Sequence, residues 1–392
     1  MTIAKTTRSA LYFIFFTQPI VLGAWLPRIP EIQAKLGLSP ADLALSLIGA
    51  PIGSLLALII GGRIGDALGA KRTMQLFYPL FFAAMLCPFI ATNQLTLALA
   101  LMAVGSTISI LELGMNISAD QVEKQYKSLV MSKAHGLWSL GLMVGTLIGS
   151  GAAAISYSPL SAGLILTVLF LPVAYIAIAK LTIDHPETPK KEDGTSRLSM
   201  PHPILLAICA FTFGTTLTEG AIADWAAIFM RDVMSAGPGI AGLAVTAFTL
   251  TVALSRLSGD RLRKHFEPHQ LALTLAVIGL VGVLTIYIAP NTLTAFIGFA
   301  LLGIGASLAF PLSISAAASA PGKSPASNIA TLSFLALTGF LVGPISIGFI
   351  AEYFTIHKGL LVLAPMFLCS AIFAFALNPN ISSLAKSESV TS

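Results

Sequence analysis

Apolar runs of about 20 residues follow one another along this chain, separated only by short polar connections, and each is long enough to cross a bilayer once. The runs are too long for barrel strands, and an open sheet would leave backbone groups unsatisfied in lipid, so the crossings must be helices. Twelve spans are read, near 9–34, 41–66, 73–92, 95–121, 128–155, 159–181, 203–230, 239–262, 270–289, 292–319, 326–353 and 358–377. The expected fold is thus an all-α membrane protein. Composition agrees: the chain is 56% apolar and only 10% charged, against roughly 25% charged residues in soluble domains.

Charge placement excludes some functions and suggests an orientation. The basic residues behind the net charge of +5 are scattered through the connections instead of forming a patch, so no nucleic-acid partner is expected. With the N-terminus in the cytoplasm, all 22 Lys and Arg except Arg28, Lys35, Arg231 and Lys358 fall on the cytoplasmic side, as the positive-inside rule requires. Both termini are then cytoplasmic. Lys5 and Arg8 before the first run resemble a secretory signal, but no small-residue cleavage site follows, and the run is kept as a span. Cys87, Cys209 and Cys369 stand singly in apolar runs with no metal or disulfide spacing. No metal and no cofactor is expected.

The longest polar, proline-punctuated segment, 182–202, divides the spans six and six. The expected units are a bundle over 1–181, a cytoplasmic linker over 182–202, a second bundle over 203–378 and a tail over 379–392. The halves resemble each other. Trp25 precedes Arg28 at the end of span 1, and Trp225 precedes Arg231 at the end of span 7. Gly141 and Gly145 in span 5 match Gly339 and Gly343 in span 11, small residues four apart that let membrane helices approach closely. Pro51, Pro311 and Pro344 each remove a backbone bond and are expected to loosen their helices.

Polar groups inside these spans are the candidate functional residues, because an ionisable side chain in hydrocarbon is costly. Glu112 and Asn116 lie four apart on one face of span 4, and His135 and Trp138 follow on span 5. Measured from their shared end, Glu112 and His135 sit at similar depth, so antiparallel neighbours would bring them together as a proton-passing or a permanently bonded pair. Thr212, Thr215, Thr216 and Glu219 draw a polar stripe through span 7 that suggests a water-filled cavity. Asp224, further round that helix, is expected to face another neighbour, Arg28 being the candidate for a gating salt bridge. Trp25 and Trp225 are either interface-belt residues or aromatic walls for a solute.

Gly62, Gly65, Asp66, Gly69, Lys71 and Arg72 between spans 2 and 3 resemble the signature loop of the major facilitator superfamily, with Ala67 where that loop usually has arginine. Gly259, Asp260 and Arg261 partly repeat it. The stretches GAWLPRIP (23–30), LELGMN (111–116), HGLWSLG (135–141), EGAIADW (219–225) and GIGASLAFP (303–311) together resemble the YbjJ-like bacterial branch, which is more distantly similar to fucose permeases. The resemblance implies two six-helix bundles working by alternating access in a bacterial inner membrane.

No Walker sequence, HExxH or GxSxG motif is present, so neither ATP drive nor membrane-embedded enzymology is expected. The expected function is secondary transport of a small organic solute by a monomer, with the proton as coupling ion. A carboxyl that alternates between dry and wet surroundings can load and release a proton. Coupling is assigned to Glu112, His135 and Glu219, solute contact to Trp25, Asn116, Trp138, Thr216 and Trp225, and gating to Arg28, Asp66, Asp224 and Asp260. A drug efflux pump and a transport-dead sensor or scaffold on the same fold are the alternatives.

Overall fold

The computed structural model describes residues 2–127, 130–183, 200–321 and 324–378. The expected linker centre, 184–199, and the tail from 379 lie outside the described residues. Among those described, all regular structure is helical. Twelve helices are long and apolar enough to cross a membrane: spans 1 to 6 are Ala4–Leu36, Pro40–Gly65, Ala67–Ile90, Gln94–Tyr126, Lys133–Ala154 and Pro159–Ala179. Spans 7 to 12 are Pro203–Asp232, Pro238–Gly259, Pro268–Tyr287, Thr292–Ser319, Ser327–Tyr353 and Ile356–Leu377. Large apolar side chains such as Ile59, Val168, Leu293 and Ile372 stand exposed on these helices, as lipid-facing positions require.

The chain divides into two compact units, Met1–Lys190 with Ala227–Thr249, and Lys191–Ala226 with Leu250–Ser392. In the first, span 1 packs along span 5 and span 2 along span 4. Glycine makes both contacts possible. A Cβ on Gly145 would lie 2.2 Å from the Ile20 carbonyl oxygen, and one on Gly53 would lie 2.0 Å from that of Met102. In the second unit, Gly343 brings span 11 onto span 7, where a Cβ would meet the Leu217 carbonyl at 2.7 Å. The matched glycines of the two halves therefore serve matched helix contacts.

Helix irregularities have local causes. The helix Gly49–Ile90, which carries spans 2 and 3, kinks near the start of span 3 at Gly69, whose φ of 72° is a left-handed conformation that favours glycine. Span 10 breaks at Leu308, three residues before Pro311, and span 2 at Ile48, three before Pro51. A proline cannot donate to the carbonyl four residues back, so each leaves an acceptor that something else must satisfy. Pro79 frees the Gln75 carbonyl in this way, and the Tyr175 hydroxyl of span 6 donates to it at 2.9 Å.

Gly145→Leu is expected to prevent close packing of spans 1 and 5 and to cost at least the ~1–3 kcal/mol typical of overpacking. Gly62→Ala, where a Cβ meets nothing within 4 Å, is expected to leave the melting temperature nearly unchanged. Thermal unfolding in detergent checks both, and equal melting temperatures would contradict the packing argument.

Candidate functional site

Among the described residues, each unit holds a polar cluster built around an intramembrane glutamate. The first is built where span 4 ends and span 5 begins. The Glu123 carboxylate accepts hydrogen bonds from the backbone N–H groups of Val130 (2.6 Å) and Met131 (2.9 Å), at the start of the helix carrying span 5. An acidic side chain is favourable at a helix N-terminus. It ties span 5 to span 4 and sets their register. With that register, His135 Nε2 lies 3.1 Å from Asn116 Oδ1, and the Phe15 ring meets the imidazole edge-on at 5.4 Å. One turn away on span 4 is Glu112, half-buried beside Trp138. The Trp138 indole N–H donates to Gln18 Oε1 of span 1 at 2.7 Å. The structure thus brings Glu112, Asn116, His135 and Trp138 together and adds Gln18. Among the described residues Glu112 has no cation within ion-pair distance.

The second cluster differs in charge. Glu219, in the middle of span 7, receives a hydrogen bond from Arg256 Nη2 of span 8 at 2.8 Å, and each side chain retains 19% exposure. Arg256 Nε donates to the Ser307 carbonyl at 3.0 Å. That carbonyl is the one four residues before Pro311, which has no N–H to offer it. One guanidinium therefore satisfies both a carboxylate and a proline-freed acceptor. Arg256 falls within span 8 as read from the sequence, 239–262. The structure places it inside span 8, because Glu219 and Ser307 supply partners that a charge at that depth requires.

The threonine stripe of span 7 departs from the expected water-filled cavity. Thr212, Thr215, Thr216 and Thr218 are all buried. Thr215 and Thr216 donate to the Thr212 carbonyl at 2.8 and 3.1 Å, and Thr218 to that of Gly214 at 2.9 Å. These hydroxyls bond back onto their own helix, as hydroxyls in helices readily do. Thr212 Oγ1 also lies 2.6 Å from Ser313 Oγ of span 10.

The tryptophans at matching positions are both packed away: Trp25 is buried against Phe89, with ring centroids 5.6 Å apart, and Trp225 is fully buried. Arg28 is 2% exposed and finds the Glu31 carboxylate at 2.6 Å and the Tyr157 carbonyl at 2.6 Å. Asp224 is half-buried, with no ion pair among the described residues. The side chains of Asp66 and Asp260 lie outside the described residues. In the same loop as Asp66, Lys71 donates to the Ala179 and Leu181 carbonyls at 2.9 and 2.8 Å, capping the end of span 6.

One further tie was not anticipated. Arg231, at the end of span 7, donates to the Pro30 carbonyl at 2.9 Å and to Gln33 Oε1 at 2.8 Å. Beyond it, Gly242 of span 8 sits so close to span 5 that a Cβ would lie 2.5 Å from Ser150 Oγ and 2.6 Å from Pro27 Cβ. The residues on both sides of these contacts belong to the first compact unit.

Comparison with known proteins agrees with this architecture. The Major Facilitator Superfamily model matches residues 11–230. The chain belongs to the major facilitator superfamily. It is 28% identical over 363 residues to an uncharacterized MFS-type transporter of Yersinia pestis, covering 93% of this chain and 94% of that one. It is 27% identical over 379 residues to the membrane protein MosC of Rhizobium meliloti, covering 94% and 90%. Among solved structures it is similar to the nucleoside transporter NupG, with TM-score 0.75, 12% identity and 95% and 99% of the chains covered. It is also similar to the Escherichia coli fucose:proton symporter FucP, with TM-score 0.65, 15% identity and 95% and 98% covered. Family and fold together make this a membrane transporter and not an enzyme.

The second cluster supports a quantitative expectation. Arg256→Met leaves Glu219 and the Ser307 carbonyl without their donor, and should cost toward the low end of the ~3–5 kcal/mol seen when a buried pair loses one partner, because both side chains keep some water access. The double variant Glu219→Gln/Arg256→Met should recover part of that loss. A double-mutant cycle by detergent unfolding measures it, and strictly additive losses would contradict a direct interaction.

Proposed function

We propose that this protein is a proton-coupled secondary carrier of a small polar solute, a monomer of the YbjJ-like branch in a bacterial inner membrane, working by alternating access. The observation that carries the coupling assignment is the contrast between its two intramembrane glutamates. Glu219 is held by a guanidinium that is charged at every physiological pH, so its charge is compensated in place. Glu112 has the Trp138 indole beside it and Asn116 one turn away, and no counter-cation at ion-pair distance among the described residues. A carboxylate without a cation is costly in a dry surrounding and acceptable in a wet one. Exposure of this cluster in turn to water and to a closed interior would make Glu112 take up and give back one proton. Asn116, His135 and Trp138 stand beside it with donors and acceptors for a polar solute, so that solute and proton occupy one cluster. Glu219 and Arg256 serve as a neutral positioning pair in this reading.

A ligand-induced thermal-shift screen across polar metabolites identifies the solute, and proteoliposomes then test the coupling. A pH difference of one unit is worth about 1.4 kcal/mol, which permits roughly tenfold accumulation at one proton per solute. Wild type should approach that ratio. Glu112→Gln should bind and exchange solute but fail to accumulate it. Accumulation by Glu112→Gln equal to wild type would remove Glu112 from the coupling role and pass it to Glu219.

A further inference from the structure

A groove of about 400 Å³ runs between the start of span 1 and the end of span 6, away from both polar clusters. Its span 1 wall is Lys5, Ser9 and Phe13, one face of a helix at intervals of four. Its span 6 wall is Val173, Ile176, Ala177 and Lys180, again one face. The two helices pack against each other, and span 6 ends where span 1 begins. Lys5 and Lys180 therefore stand at the same mouth. At 1.5 Å per residue, Phe13 lies about 12 Å further along and Val173 about 10 Å. The groove thus has a cationic mouth, a hydroxyl from Ser9 just inside it, and an apolar floor about 10 Å long.

Both ammonium groups are exposed, and among the described residues neither has a hydrogen-bond or ion-pair partner. Nearby cations are otherwise engaged: Arg8 Nε donates to the Ala4 carbonyl, Lys71 caps span 6 and Lys133 lies over the Tyr12 ring. Val173 and Ile176 are 43% and 55% exposed, a surface that hydrocarbon covers in a membrane.

We infer that this groove is a binding site for one anionic phospholipid, its phosphate between Lys5 and Lys180 and an acyl chain along Ser9, Phe13, Val173 and Ile176. The charge pattern matches the ligand along its length. Two cations near the headgroup level attract an anionic lipid by about 1 kcal/mol each, and the floor takes the chain that a free phosphate lacks. A zwitterionic lipid would fill the floor equally well, but its own ammonium would offset the gain at the mouth.

Native mass spectrometry of the purified full chain with phosphatidylglycerol or phosphatidylcholine tests the site. The expected result is one phosphatidylglycerol retained at collision energies that strip phosphatidylcholine. Lys5→Gln/Lys180→Gln should lose that retention, whereas Lys264→Gln, an exposed cation of the span 8 to span 9 connection, should keep it. Val173→Trp, which fills the floor and leaves both lysines, should also lose it. Melting temperatures in phosphatidylcholine micelles should match wild type for all variants, and phosphatidylglycerol should raise them only where the lipid is retained. Retention unchanged in the double lysine variant, equal retention of phosphatidylcholine, or equal stabilisation by inorganic phosphate alone would each overturn the assignment.

Discussion

A polar group inside a membrane span has no water to fall back on, so each must be satisfied by the protein around it. The bond network of Arg256 shows how this chain meets that constraint. Pro311 breaks the backbone ladder of span 10 and leaves the Ser307 carbonyl open, and Glu219 brings a carboxylate into the middle of span 7. Either alone would be costly. One guanidinium, donating through Nε to the first and Nη2 to the second, resolves both and joins three helices of the second unit. A lysine, with one point charge on a flexible stem, could not supply that fork.

The first unit solves the same problem differently, and the difference is what gives it a candidate function. Its polar contacts join side chains without an acid–base pair: a part-buried indole to an amide, an exposed imidazole to an amide, and a buried hydroxyl to hydroxyl contact between Thr17 and Tyr78 at 2.7 Å. Glu112 sits beside these groups with no cation at ion-pair distance among the described residues. Under the proposed function, stability and responsiveness fall to different halves: the compensated glutamate holds helices together, and the one without a cation exchanges the proton.

The helical layout was legible because hydrocarbon thickness sets span length, and all twelve spans appear close to where the apolar runs placed them. The cluster around Glu112 was legible for a related reason. Residues four apart share a face and antiparallel neighbours share depth, which pointed to Glu112 as the partner of His135; the imidazole lies on Asn116, one turn along the same face. What was not legible depends on tertiary partners. Nothing in the spacing of span 8 says that Arg256 turns inward, since that requires both Glu219 and a carbonyl freed 51 residues later. The threonines of span 7 looked like a cavity lining because spacing cannot show a hydroxyl bonding back to its own helix. Gln18 joins the cluster only through the Trp138 indole, a contact that spacing along span 1 does not show.

The central claim is that Glu112, which has no cation at ion-pair distance among the described residues, is the group that takes up and releases the coupled proton. Infrared difference spectroscopy between acidic and alkaline buffer reads this directly, because a protonated carboxyl has a carbonyl stretch that a carboxylate and an amide lack. In an Asp224→Asn background, which removes the other intramembrane carboxyl without an ion pair among the described residues, the account predicts a protonated-carboxyl band that disappears in Glu112→Gln and persists in Glu219→Gln. A band that survives in Glu112→Gln and vanishes in Glu219→Gln would contradict it.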